Sequence, residues 1–246
     1  MILLELAHLS ADLEEHEETY QLAEKAYDYF RSSNNRLRLA WAQLYCADSA
    51  FHMKKWEDSL SSGRDALRLF AEEEDLVGQG WTCANLCRTH NEEGHFEEAL
   101  VYGRMGVDVF TEKGDREGLG VCQYFQAYSQ MGMNNLVAAQ ELFLSGLDHL
   151  VARNIHWRID DILFGLAQLK VKQGERPFGF MIASVLAQDE NIHKDLKTKV
   201  ADLLSGVQPL LNRTEIKEVR EKLSGLTVEK LAEKLMDKAQ VEFKFL

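Results

Sequence analysis

The sequence predicts an all-α chain, a superhelix of about five stacked helix hairpins closed by a C-terminal helical cap. Three observations predict it. Leu, Ala, Glu and Lys are abundant, runs of Val, Ile and Thr are missing, and only Pro177 and Pro209 interrupt 246 residues. One pattern returns every 40 residues, as in "HMKKWEDSLSSGRDALRLF", "EEGHFEEALVYGRMGVDVF" and "GMNNLVAAQELFLSGLDHL". Small and large residues alternate down shared columns at helical spacing, as two helices in close approach require.

The columns define each element in turn. Phe30, Phe70, Phe110 and Leu150 share one, and Ala26, Ala66, Gly106 and Gly146 another. Ala23, Gly63 and Gly103 form a third, which Phe143 breaks. His16, Trp56, Phe96 and Leu136 mark where the second helix of each row begins, with Thr19, Ser59, Ala99 and Ala139 three residues on. The first helix has its own small column at Ala7, Ala47, Cys87, Ala127 and Ala167. Each row therefore reads as two antiparallel helices. Lys54, Gly94, Asn134 and Gly174 share the column of the turn within a row, where a left-handed residue ends the helix. "EEDLVG" and "GDREG" are the joints between rows, with Asp75 and Asp115 placed to cap the next helix. A helix pair cannot bury both faces alone, so each row must stack on its neighbour.

The first row begins inside its first helix, "ILLELAHLSADLEE", with no lead-in. Two readings follow: a partly exposed first helix, or a chain that is the C-terminal piece of something longer. At the other end, "GERPFGFMIASVLAQDEN" still fits the second helix of a row. "IHKDLKTKVADLLSGV", "NRTEIKEVREKLSG" and "TVEKLAEKLMDKAQ" then read as helices without the small columns. Asn212 with Glu215 makes a capping box, and Thr227 opens the last helix with Glu229 in its first turn. The charge changes at the same place. Residues 1–190 carry 17 basic and 31 acidic side chains, whereas 191–246 carry 11 and 9. The expected organisation is thus 1–190 as helical repeats and 191–246 as the cap.

The rows resemble tetratricopeptide repeats, with large residues at Trp56, Phe96, Phe70 and Phe110 and small ones at Ala99 and Ala139. The usual unit of that family is about 34 residues. This one is similar to the extended variety of receptor-like regulators and polarity adaptors, in which a joint like "GDREG" recurs. The resemblance covers residues 1–188, and it implies a right-handed solenoid that binds proteins. The family's closing proline is missing from every row, and its first-helix tyrosine is replaced by Ala50, His90, Gln130 and Lys170. The order of "FMIASVLAQ" and "LSGLTVEKLAEKL" is weakly similar to the C-terminal helical region of bacterial STAND-type ATPase and LuxR-type regulators. No G-x-x-x-x-G-K-[ST] loop occurs, so that likeness implies a ligand- or peptide-sensing part only.

Other classes are disfavoured. A net charge of −12 argues against a phosphate-backbone binder, so no nucleic-acid partner is expected. No stretch approaches the roughly 20 apolar residues of a membrane span. The opening residues do not read as a signal peptide, which predicts a cytoplasmic protein with Cys46, Cys83, Cys87 and Cys122 reduced. "NRT" at Asn212 is a chance sequon on that reading. Cys83, Cys87 and His90 share a helical face, but in the buried columns of Ala47, Ala50 and Ala127, so they read as core and no metal or cofactor is expected. The acidic pairs Glu14–Glu15, Glu17–Glu18, Glu72–Glu74, Glu92–Glu93 and Glu97–Glu98 read as a solvated face near helix termini. There is no G-x-S-x-G, and Asp48, Arg88 and Gln168 are too scattered in sequence for a catalytic cluster, so no enzymatic activity is expected.

The candidate site is the face lined by the first helix of each row. It should carry Trp41, Leu44, Tyr45 and Asp48, then Trp81, Ala84, Asn85 and Arg88, then Val121, Tyr124, Phe125 and Tyr128, with Phe164 and Gln168 last. Trp and Tyr offer large contact area with a polar tip, which suits a peptide or helix. The competing reading packs Trp41, Trp81 and Phe125 between rows. Arg88 is the one basic residue here, too few for a carboxylate clamp. The expected function is a scaffold or adaptor that binds a protein or peptide partner, favouring basic ones through its acidic rim. An exposed first helix would also permit self-association.

Overall fold

The computed structural model describes residues 2–12, 15–152 and 156–239. Its described residues form α1 (Ile2–Asp12), α2 (His16–Ser32), α3 (Arg36–His52), α4 (Trp56–Glu72), α5 (Leu76–Glu92), α6 (Phe96–Lys113) and α7 (Arg116–Gly132). They continue with α8 (Leu136–Val151), α9 (His156–Lys172), α10 (Arg176–Leu186), α11 (Lys194–Val207), α12 (Arg213–Leu223) and α13 (Val228–Ala239), plus a 3₁₀ turn at Gln208–Leu210. The chain divides into two compact units, Met1–Gly132 and Met133–Leu246; successive helices pack as antiparallel hairpins from α1 to α7 in the first and from α8 to α11 in the second.

The turns repeat as the columns require. Lys54, Gly94, Asn134 and Gly174 all have left-handed backbone, with φ of 59°, 77°, 63° and 87°. A second left-handed series, Asn34, Glu74 and Gly114, ends the second helices at the joints, again 40 residues apart. Just beyond each joint a side chain caps the next helix. Asp75 Oδ1 accepts from the Gly78 amide at 3.0 Å, Asp115 Oδ1 from the amides of Glu117 and Gly118, and Asn35 Oδ1 from that of Arg38.

In the first unit, α1, α3, α5 and α7 contact one another in series, with α2, α4 and α6 packed between them. The large-small columns make these contacts. Phe30, Phe70 and Phe110 are enclosed, and Gly78 and Gly118 on the following first helices meet the rings of Phe70 and Phe110. A Cβ at either glycine would lie 2.3–2.6 Å from the ring, so only glycine admits this approach. The small column of α6 is as tight: a Cβ on Gly106 would lie 2.5 Å from Cys122 Sγ.

In the second unit the core gathers Phe143, Leu147, Leu150, Leu163, Ile182 and Leu186. Phe143, which breaks the small column, is fully buried because Gly165 on α9 leaves room for its ring, 2.4 Å from where a Cβ would stand. Helices α11, α12 and α13 pack on α10, and α13 also reaches α8 and α9. The capping box is present in both directions: Asn212 Oδ1 accepts from the Glu215 amide and Glu215 Oε2 from the Asn212 amide. The acidic side chains of the first unit that pair near helix termini are exposed, while Glu14 lies outside the described residues.

Candidate functional site

The first helices of the first unit carry a polar and aromatic cluster built on the repeat register. Equivalent positions on neighbouring first helices face each other, so Asp48 of α3 and Arg88 of α5 meet although 40 residues separate them. Arg88 Nη2 donates to Asp48 Oδ1 at 2.6 Å, and Nη1 lies 3.4 Å from His52 Nε2. The guanidinium lies 3.7 Å from the centroid of the Phe51 ring and 5.9 Å from that of Phe125. Such stacking with a charge-assisted bond suits the planar guanidinium. The helical repeat thus sets Asp48 and Arg88 side by side. Gln168 lies on α9 in the second unit.

The aromatic residues divide between packing and surface. Trp41 and Phe70 meet in a T-shaped arrangement with centroids 5.1 Å apart, as do Trp81 and Phe110 at 5.2 Å. Both tryptophans are half-buried, so they close the joints between rows and keep one side at the surface. Tyr124 and Tyr128, one turn apart on α7, meet edge to face at 5.1 Å and are also half-buried. Tyr45 is half-buried beside His8 of α1. Leu44, Ala84, Val121, Phe125 and Phe164 are interior.

Asn85 lies inside the α4–α5 hairpin, where Ser59 donates to its Oδ1 at 3.4 Å and is 3.0 Å from the Thr89 hydroxyl. Sequence reasoning passed over Phe51, His52 and the polar tie from α5 to α7. In that tie Asn91 Nδ2 donates to the Phe125 carbonyl at 2.8 Å and Ser129 Oγ donates to Asn91 Oδ1 at 2.7 Å. The signal for it lay in register: positions 91 and 129 fall on the facing sides of adjacent first helices.

Cys83 and Cys87 are enclosed, as their reading as core expects, and so are Cys46 and Cys122. Burial pushes the thiols of Cys46, Cys83 and Cys87 up to about 12, and that of Cys122 upward too, which removes their nucleophilic form at neutral pH. Burial, then the neighbouring His95, holds His90 below the ordinary imidazole value, against the pull of Glu93 and Glu98. No helix among the described residues is long and apolar enough to cross a membrane.

No family model matches the sequence, and no curated protein matches it. Among solved structures the chain is similar to the crystal structure of BtubC (BKLC) from P. vanneervenii, at 12% identity and a TM-score of 0.63, with 94% of each chain covered. At that identity the likeness carries the fold: the chain is an all-α, tetratricopeptide-like array of helical hairpins.

Proposed function

We propose that the chain is a protein-interaction module that holds a peptide or helical segment of a partner along the first-helix face of its first unit. The observation that carries this reading is the row of half-buried aromatics on α3, α5 and α7, namely Trp41, Tyr45, Trp81, Tyr124 and Tyr128, around the fixed Asp48–Arg88 pair. Half-buried aromatic rings on a rigid helical frame supply contact area at low ordering cost, as anchor positions in interfaces do. The chain charge of −12 favours basic segments. Arg88 is engaged by Asp48 and Phe51, so it orients the surface rather than clamping a terminal carboxylate.

The test is selection from a displayed library of random peptides on the immobilised chain, with Tyr124→Ala/Tyr128→Ala as counter-bait after its helicity is checked by circular dichroism. Enrichment of basic, apolar-rich peptides that bind the chain and not the variant is expected. Equal retention by both baits, or no enrichment at all, would sink the reading.

A further inference from the structure

The turn between α5 and α6 carries the sequence "HNEEGH", and its His90, Glu93 and His95 place one ligand atom each within 4.8 Å of one another. We propose that these three residues form a binding site for a borderline transition-metal ion such as Zn²⁺, leaving one coordination position open.

The backbone fixes the positions of all three residues. His90 is in the last turn of α5, Glu93 is the residue that ends that helix, and His95 is the residue that starts α6. Between them Gly94 takes left-handed backbone at φ 77°, which brings Glu93 and His95 round to the side of His90. The His95 amide donates to the His90 carbonyl at 2.9 Å and the Gly94 amide to that of Asn91 at 3.1 Å, so the turn is closed without any side chain. His95 caps through its backbone alone, and its side chain makes no cap hydrogen bond.

The donor spacing suits an ion. His95 Nδ1 lies 3.5 Å from Glu93 Oε2. Two ligands on a tetrahedral ion, each bonded at about 2.0–2.2 Å, are themselves roughly 3.3–3.5 Å apart. The remaining closure is a small rotation of the exposed Glu93 and His95 side chains toward the fixed His90 ring. That ring is 8% exposed and stacks on Tyr102, centroids 5.5 Å apart and planes 10° from parallel. Its Nδ1 is enclosed and has no hydrogen-bond partner among the described residues. A buried imidazole nitrogen without a partner is costly unless something satisfies it. Two imidazoles and a carboxylate select Zn²⁺, Co²⁺, Ni²⁺ or Cu²⁺ over Mg²⁺ and Ca²⁺, which prefer oxygen.

The other rows serve as an internal comparison. The positions equivalent to 90, 93 and 95 hold Ala50, Met53 and Lys55, then Gln130, Met133 and Asn135, then Lys170, Gln173 and Glu175. The turn forms with left-handed backbone in those rows too, so it does not require the two histidines and the glutamate. In the last row the equivalents of His90 and His95 are Lys170 and Glu175, whose charged ends meet at 2.9 Å. The backbone of this turn therefore brings side chains at these two positions within reach of each other.

The deciding experiment is a Zn²⁺ titration of the metal-stripped full chain in competition with a chromophoric chelator, repeated with Co²⁺ to read coordination from its visible spectrum. One equivalent is expected to bind, with a tetrahedral Co²⁺ spectrum, and Mg²⁺ should not compete. His95→Ala and Glu93→Gln alter exposed side chains, so their circular dichroism should match the parent. Each should weaken Zn²⁺ by at least about 100-fold, the upper end of what losing a supporting residue costs. Absence of a one-equivalent site in the parent, or unchanged affinity in His95→Ala, would overturn the proposal and leave a local His–Glu contact.

Discussion

Replacing Gly118 by alanine tests the row-to-row contact on which the fold rests. The new methyl would lie 2.4–2.5 Å from three carbons of the Phe110 ring. That ring is fully buried among Ala84, Cys87, Ala99, Val121, Cys122 and Phe125, so it has nowhere to retreat. Overpacking of this kind costs about 1–3 kcal/mol, while removing a helical glycine returns up to about 1 kcal/mol. With the full return counted, the net expectation is a loss of up to about 2 kcal/mol, centred near 1. Gly206 on α11 is the matched control, because a Cβ there meets nothing within 4 Å, and Gly206→Ala should gain about 0.5–1 kcal/mol. Urea unfolding followed by circular dichroism and tryptophan fluorescence reads both, and the two probes reveal whether the two units unfold together. A Phe110→Leu background should recover part of the Gly118→Ala loss, since the ring is the obstacle. Gly118→Ala as stable as the parent would show that the Phe110–Gly118 approach does not constrain the stacking.

Three further outcomes follow from particular residues. Glu74 holds left-handed backbone at φ 55°, so Glu74→Gly should stabilise by about 0.5–1 kcal/mol in the same urea assay, after the entropy of the freer unfolded chain is counted. A double-mutant cycle on Asp48→Ala and Arg88→Ala should give a coupling of about 1–2 kcal/mol, because the bond is charge-assisted and Arg88 is largely enclosed; a coupling near zero would mean that the Phe51 stack alone holds Arg88. Asp160 on α9 has its carboxyl pushed up to about 7 from 3.8 by burial, then by Asp189, Asp161 and Glu229, with His193 opposing. The folded state then binds the proton more tightly than the unfolded one, so stability should fall as pH rises from about 4 to about 7 and level off above. Asp160→Asn should flatten that slope and be the more stable form at pH 8; an unchanged slope would refute the assignment.

Much of the fold was legible because the repeat writes each packing contact several times. Phe30, Phe70 and Phe110 announce a buried column, and Gly78 and Gly118 stand where the rings of Phe70 and Phe110 need room. The left-handed turn at Lys54, Gly94, Asn134 and Gly174 was readable for the same reason, even though two of the four are not glycine. The break at Phe143 was visible in the sequence, but its resolution depended on Gly165, which lies on another helix. The candidate surface was legible only in part. Helical phase placed Tyr45, Tyr124 and Tyr128 on the first-helix face, yet phase alone could not separate them from Asn85, which turns into the hairpin toward Ser59.

The sequence by itself determined the all-α class, the 40-residue register, the capping residues and the small-large columns, because these depend on local propensity and on spacing along one helix. Only the tertiary structure decided which residues of different rows touch. Asp48 and Arg88 form an ion pair through the stacking of α3 on α5, a distance set by helix packing and not by either helix alone. His90, Glu93 and His95 converge through a single left-handed residue, a backbone reversal that takes them off any one helical face. The 40-residue spacing makes Asp48 and Arg88 equivalent, but how closely they approach depends on the packing of α3 against α5, which spacing along the sequence does not encode.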